Sequence, residues 1–327
     1  MPEIEILTGE EVLPTRTLWE EVFTQDSKQF VDYYYSHKAE KNICFVIKDQ
    51  KDIVSMVHLT PYDMCVKSKN EISEKVNHVD IDIFSTFYIV GVATREAYRH
   101  RGYMTALLER AFFYMESCRV PFTFLMPANP AIYEPFGFRY IYERTDYLFC
   151  PNHVYKGQVS STFQVGGVLN VTGETRELAK NHTGAALELE LVKAEEKDCE
   201  QLASFSMEQL RARYDFFLKR DELYFRTLRM ELESENGCIY LIYINGELVG
   251  YFTYACEEEE FVQEVLIKVC YEHLLVVDEG TDGLLVRKSE KKPIIMGKCL
   301  GDGTRAVPGL KEISDGRNQD GFMNEVV

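Results

Sequence analysis

The sequence contains no apolar run of about 18 residues, the length a membrane-crossing helix requires, so no such span and no membrane partner are expected. It is also short of basic residues. Lys and Arg number 36 against 53 Asp and Glu, a formal net charge of −17, and a surface of that sign repels the phosphate backbone of nucleic acid. Met1 to Ile6 offers neither the positive stretch nor the apolar stretch of a secretory leader, and the cytoplasm is the expected compartment. Nine Cys form an odd set with no C-x-x-C pair and no zinc-like spacing, which points to reduced thiols and to no metal site.

What is present is a globular composition: 46% hydrophobic and 13% aromatic residues in 327. At about 150 residues per domain this length predicts two domains. Residues 18–35 carry apolar positions near helical spacing with a break around Thr24 to Ser27, predicting one or two helices. Asn42 to Ile47 and Ile53 to Leu59 flank the polar connector Lys48 to Asp52 and predict a strand, turn, strand unit. Phe84 to Thr94 is strongly β-prone. Met104, Leu107, Leu108, Ala111, Phe112 and Met115 then fall on one stripe of an amphipathic helix, and Phe122 to Met126 reads as a short buried strand.

After a weaker stretch, Pro151 to Gly184, that order recurs. Leu187 to Val192 predicts a strand, Lys197 to Leu232 a helical region with a break, and Cys238 to Ile244 and Leu248 to Tyr254 a hairpin closed by Asn245-Gly246. The two halves read as copies of one α/β architecture, with domains at 1–150 and 151–295 and a tail at 296–327. Gly301 to Gly321 is rich in Gly, Asp, Asn and Pro and reads as loop.

The chemistry-bearing segment runs from Val92-Ala93-Thr94 through Arg99-His100-Arg101-Gly102-Tyr103-Met104-Thr105 into the helix. A strand that parts from its neighbour leaves backbone groups free to pair with an amide-bearing ligand arm. A turn opening a helix gathers N–H groups and the positive end of the dipole at one spot, which suits a pyrophosphate. Gly102 permits close backbone approach, and Arg99 or Arg101 adds charge. A second [Q/R]-x-x-G match, Gln164-Val165-Gly166-Gly167, has no amphipathic helix after it, so context favours the copy at Arg99. Asn129 to Phe138, just after the next strand, reads by itself as a short helix with core aromatics and a Gly C-cap.

In this order, Val92 to Thr105 and Ala131-Ile132-Tyr133-Glu134-Pro135-Phe136-Gly137-Phe138 resemble the GNAT superfamily of acyl-CoA N-acetyltransferases. Together with the weaker second half, Lys292-Pro293-Ile294-Ile295-Met296 and the ending Phe322 to Val327, the chain looks like the Eis-like (enhanced intracellular survival) branch. The resemblance implies tandem GNAT domains built on mixed twisted sheets flanked by helices, the first catalytic and the second degenerate. It implies acetyl-CoA as co-substrate and no metal. Val92, Ala93 and Thr94 would pair with the pantetheine arm, Arg99, His100, Arg101, Gly102, Tyr103, Met104 and Thr105 would wrap the pyrophosphate, and Ala128 and Asn129 would touch the cofactor again. Tyr133 would protonate the leaving thiolate, and the terminal carboxylate at Val327 would accept the proton of the attacking amine.

The implied activity is acetyl transfer to a primary amine of a cationic small molecule or lysine-like substrate, of the aminoglycoside or polyamine kind. The branch forms hexamers, so a homo-oligomer is expected. Trp19, Phe23 and nearby acidic groups are the candidate acceptor pocket. Two features depart from the pattern. Met104 stands where a small residue is usual, and only the 32 residues Met296 to Val327 occupy the place of a sterol-carrier-like third domain. The rival reading is an inactive GNAT pair that sequesters a cationic ligand.

Overall fold

The computed structural model describes residues 2–68, 81–150, 175–180, 186–256, 260–279, 284–303, 307, 309–314 and 321–323. In chain order its strands are β1 (Glu5–Thr8), β2 (Ile43–Asp49), β3 (Asp52–Lys67), β4 (Ile81–Thr94), β5 (Phe122–Leu125), β6 (Arg139–Phe149), β7 (Thr175–Lys180) and β8 (Ala186–Lys193). They continue with β9 (Phe216–Leu218), β10 (Cys238–Ile244), β11 (Glu247–Cys256), β12 (Glu260–Ile267), β13 (Val276–Asp278), β14 (Leu285–Cys299) and β15 (Gly321–Phe322). The helices are α1 (Arg16–Val22), α2 (Lys28–His37), α3 (Tyr103–Ser117), α4 (Cys199–Arg213), α5 (Glu222–Ser234), α6 (Val269–Leu275) and α7 (Leu310–Ser314). None of the described helices is long and apolar enough to cross a membrane.

The chain forms two compact units. The first comprises Met1–Glu143, Tyr214–Lys219 and Pro293–Val327, and the second Arg144–Arg213 and Arg220–Lys292. This partition differs from the consecutive domains 1–150, 151–295 and 296–327 read from the sequence. The break in the second half's helical region holds β9, whose three residues pair with β3 of the first unit at Met64 to Val66. The last part of β14 pairs antiparallel with β5, Met296 opposite Leu125 and Cys299 opposite Phe122. The stretch Gly301 to Gly321 is not all loop: Val307, Leu310 and Ile313 are buried, the last two on α7, and β15 lies parallel to β9. An i, i+3 apolar pair in a Gly-rich stretch is too short a pattern to stand out locally, and burial against the first unit supplies what propensity does not.

In the first unit hydrogen bonding runs β1-β2-β3-β4-β5-β14, all antiparallel except β4 and β5. α3 buries Leu107, Leu108, Ala111, Phe112 and Met115 against Phe45, Val57, Leu59 and Ile89. Each of the larger side chains contributes about 1.5–3 kcal/mol by leaving water. His58 lies between Val57 and Leu59 on β3 and so faces the opposite side, where Trp19 of α1 meets it at 5.7 Å between ring centroids. The break between α1 and α2 falls at 23–27, with Ser27 capping α2 by accepting from the amide of Phe30.

In the second unit β7, β8, β10, β11 and β12 form an antiparallel series. The β10–β11 hairpin turns at Asn245 and Gly246, with φ of 50° and 78°, the paired positive values that this dipeptide favours. Beneath it, Arg220 and Glu264 form a bidentate ion pair at 0% and 3% side-chain exposure, and the Tyr251 hydroxyl accepts from Arg220 at 2.7 Å and donates to Glu264 at 2.6 Å. Coulombic attraction from Glu264 outweighs the burial penalty and holds the Arg220 guanidinium charged.

Candidate active site

The site begins with the way two strands part. β4 and β5 are parallel partners at only two positions, Phe87↔Thr123 and Tyr88↔Phe124. β4 then continues from Ile89 to Thr94 while β5 stops at Leu125. Among the described residues, the β5-facing edge of Ile89 to Thr94 has no strand partner. On its other edge β4 stays tied to β3: Ser55 donates its hydroxyl to the Ala93 carbonyl at 3.1 Å and meets the Thr94 hydroxyl at 2.7 Å.

A bulge helps to bend β4 away. His58 pairs with Val90 and Met56 with Ala93, so three steps on β4 face two on β3. Gly91 in this bulge has φ +59°, and a Cβ there would meet Trp19 Cζ3 at 2.6 Å. Glycine is required twice over, by conformation and by the indole. Trp19 is only 2% exposed and donates Nε1–H to Asp26 at 2.8 Å. Of the candidate acceptor pocket of Trp19, Phe23 and nearby acidic groups, Trp19 itself is buried, its ring filling the space over Gly91, while Phe23 and Asp26 are half-buried.

From Thr94 the chain turns into α3. Arg95 anchors the turn with its amide on the Val54 carbonyl at 2.9 Å and its guanidinium on both Glu21 oxygens at 2.9 and 3.1 Å. Arg99 Nε donates to the Thr94 carbonyl at 3.1 Å and Arg101 to the Ala97 carbonyl at 2.9 Å, with Arg101 also lying over the Tyr98 ring. Arg99, His100, Arg101, Gly102 and Thr105 are exposed. Gly102 is the N-cap of α3 in the left-handed region at φ +77°, and nothing lies within 4 Å of where its Cβ would be. α3 has no side-chain cap and no acidic residue in its first turn. The amides of Tyr103, Met104 and Thr105 point out of the helix start without a helical acceptor. The Met104 side chain packs against the first unit's core, which resolves the departure from a small residue there.

Across the splay, β5 leads into two short 3-10 turns, Pro130–Ile132 and Glu134–Phe136. Asn129 accepts from the Ala131 amide at 3.1 Å, so its side chain caps the first turn, and Ala128 beside it is exposed. Tyr133 joins the turns. Its backbone N–H donates to the Pro130 carbonyl at 2.9 Å and its ring packs edge-on to Phe138 at 6.0 Å. Burial pushes its phenol up to about 12, and among the described residues its hydroxyl has no hydrogen-bond partner. Val327 lies outside the described residues, as does most of 151–184.

The Arg99–Thr94 bond thus ties the 99–105 turn to the end of the strand that carries Val92, Ala93 and Thr94. Sequence reasoning missed Gly91, whose placement inside a β-rich run was itself a bulge signal, and missed the anchoring of the turn by Arg95. No group of three or more His, Cys, Asp or Glu among the described residues could hold a metal ion.

Residues 3–141 match the acetyltransferase (GNAT) domain family. No curated protein matches the sequence. Among solved structures, a conserved Enterococcus faecalis V583 protein described as of unknown function and a probable N-acyltransferase is 12% identical at TM-score 0.61, covering 92% of this chain and 73% of its own. A GCN5-related N-acetyltransferase from Kribbella flavida is 11% identical at TM-score 0.57, covering 94% and 74%. Eis1 from Mycobacterium abscessus is 11% identical at TM-score 0.57, covering 91% and 73%. The fold is the GNAT fold, an α/β mixed sheet flanked by helices, and within it residues 3–141 are the part that matches the acetyltransferase domain.

Proposed function

We propose that this chain is an acetyl-CoA-dependent N-acetyltransferase of the Eis-like kind, acting on a primary amine of a cationic small molecule or lysine-like substrate. The observation that carries the reading is the edge Ile89 to Thr94, which has no strand partner among the described residues and leads through the 95–102 turn into the start of α3, which has no side-chain cap. The amide-bearing pantetheine arm would add to that edge at Val92, Ala93 and Thr94 as an extra strand does. The first-turn amides, the open space over Gly102 and the charges of Arg99 and Arg101 suit a pyrophosphate. Ala128 and Asn129 would complete the site from the opposite arm. Bound acetyl-CoA supplies an activated thioester.

Tyr133 fits the role of proton donor to the departing sulfur. With its phenol raised to about 12 by burial, it stays protonated throughout the neutral range. An excess of acidic groups, −17 overall, would gather a cationic acceptor. The acceptor must lose a proton before it attacks, because alkyl amines are charged near neutrality.

Calorimetry with acetyl-CoA and a thiol-release assay against aminoglycosides, polyamines and lysine peptides test the proposal. Acetyl-CoA binding and turnover on at least one amine are expected, and no binding overturns the cofactor assignment. Binding without turnover on any amine overturns the acceptor assignment. Tyr133→Phe is expected to lower kcat about 100-fold with acetyl-CoA affinity changed less than about twofold. Equal losses in both would reduce Tyr133 to a packing residue.

A further inference from the structure

The two-position ladder between β4 and β5 begins at two buried threonines, one step before the strands part. The Thr86 hydroxyl donates to the Phe122 carbonyl at 2.6 Å, and the Thr123 hydroxyl donates to the Phe87 carbonyl at 2.8 Å. Both residues are 0% exposed. Thr123 and Phe87 are also register partners. One bond therefore runs from β4 to β5 and the other from β5 to β4, clasping the strands at one place. Valine would fill the same volume without burying a hydroxyl, so what distinguishes threonine at both positions is the bond each makes.

Two residue pairs specify a strand register weakly. Ile89 and Leu125 are the next residues on the two strands and could pair if the ladder closed by one step. The free edge would then begin about 3.3 Å further along β4. Displacements much smaller than that slow a transfer reaction sharply when reacting atoms must be held near contact.

We infer that Thr86 and Thr123 are positioning residues that hold the branch point of β4 and β5 at Phe87–Tyr88, and so set where the thioester end of acetyl-CoA is seated. This rests on the acetyl-CoA reading above for its functional half, whereas the branch point is a property of the unliganded protein. Neither threonine touches the proposed reacting atoms. Each acts through the backbone it clasps.

The test compares Thr123→Val and Thr86→Val with Thr123→Ser and Thr15→Val. Thr15 is a matched control: it is 0% exposed in the same unit, donates to the Val12 carbonyl at 2.6 Å and meets the Tyr35 hydroxyl at 3.0 Å, bonds that involve neither β4 nor β5. All three valine variants are expected to lose similar thermal stability. Only Thr123→Val and Thr86→Val are expected to change amide exchange at Tyr88, Ile89 and Phe124 about tenfold and to raise the KM for acetyl-CoA about tenfold, with Thr123→Ser near wild type. The inference is overturned if those two variants change exchange and KM no more than Thr15→Val does. Should Thr123→Val not fold, Thr86→Val carries the same readings. If the wild type binds no acetyl-CoA, the cofactor reading fails, and exchange at the branch point still decides the clasp.

Discussion

Helices α3 and α5 begin in opposite ways. In the second unit, Asp221 caps α5 by accepting from the Tyr224 amide at 2.9 Å, and the turn before α4 closes with a capping box between Glu195 and Asp198. Those helix starts satisfy their own amides and dipoles with their own carboxylates. In the first unit α3 starts at a bare left-handed glycine with no acid in its first turn. No side chain among the described residues caps its first-turn amides. The same contrast holds in the interior. The second unit buries the Arg220–Glu264–Tyr251 network, whereas in the first β4 and β5 part after two paired positions. The contrast is therefore between two helix starts, one closed by its own carboxylate and one bare where chemistry is proposed.

The largest expected effect breaks the closed side. Arg220→Met leaves Glu264 buried without its counter-charge and should lower the stability measured by denaturant unfolding by about 3–5 kcal/mol. Adding Glu264→Leu should recover most of it, and no recovery would mean that the network acts through packing alone. Next, Gly102→Asp gives α3 the kind of start that α5 has. Acetyl-CoA affinity by calorimetry should fall at least about 100-fold, near 2.7 kcal/mol, while the melting temperature falls modestly, because an aspartate at φ +77° is strained and the fit of its carboxylate to the helix dipole offsets only part of that cost. Unchanged affinity would dismiss the turn as an anion site. Smallest is Asp221→Ala, expected to lower stability by about 1 kcal/mol with acetyl-CoA binding unaltered. A matching loss of binding would show that the contrast between the two helix starts has no functional meaning.

Local pattern made much of this visible in the amino-acid sequence. The α3 stripe, the Asn245-Gly246 hairpin and the strand before Arg99 rest on period and turn chemistry, which neighbouring residues specify. What stayed hidden depends on distant pairing. No local signal says that β4 and β5 share only two positions, or that Phe216–Leu218 joins β3. Trp19 looked like a pocket residue because an isolated Trp in an aromatic segment does not reveal that a glycine 72 residues later leaves room for its ring. The threonine clasp had no signature at all, since Thr86 and Thr123 are ordinary residues in β-rich runs.

The strand pairing of β14 also sets an order of events during synthesis. Met296 and Leu300 belong to the core that α3 packs against, and β5 has no complete sheet environment without Met296 to Cys299. These residues leave the ribosome only after the whole of Arg144–Lys292. At about 5–20 residues per second the wait is on the order of ten seconds. The half of the protein translated first is thus the half that finishes folding last, and its open strands must be kept from other nascent chains until then.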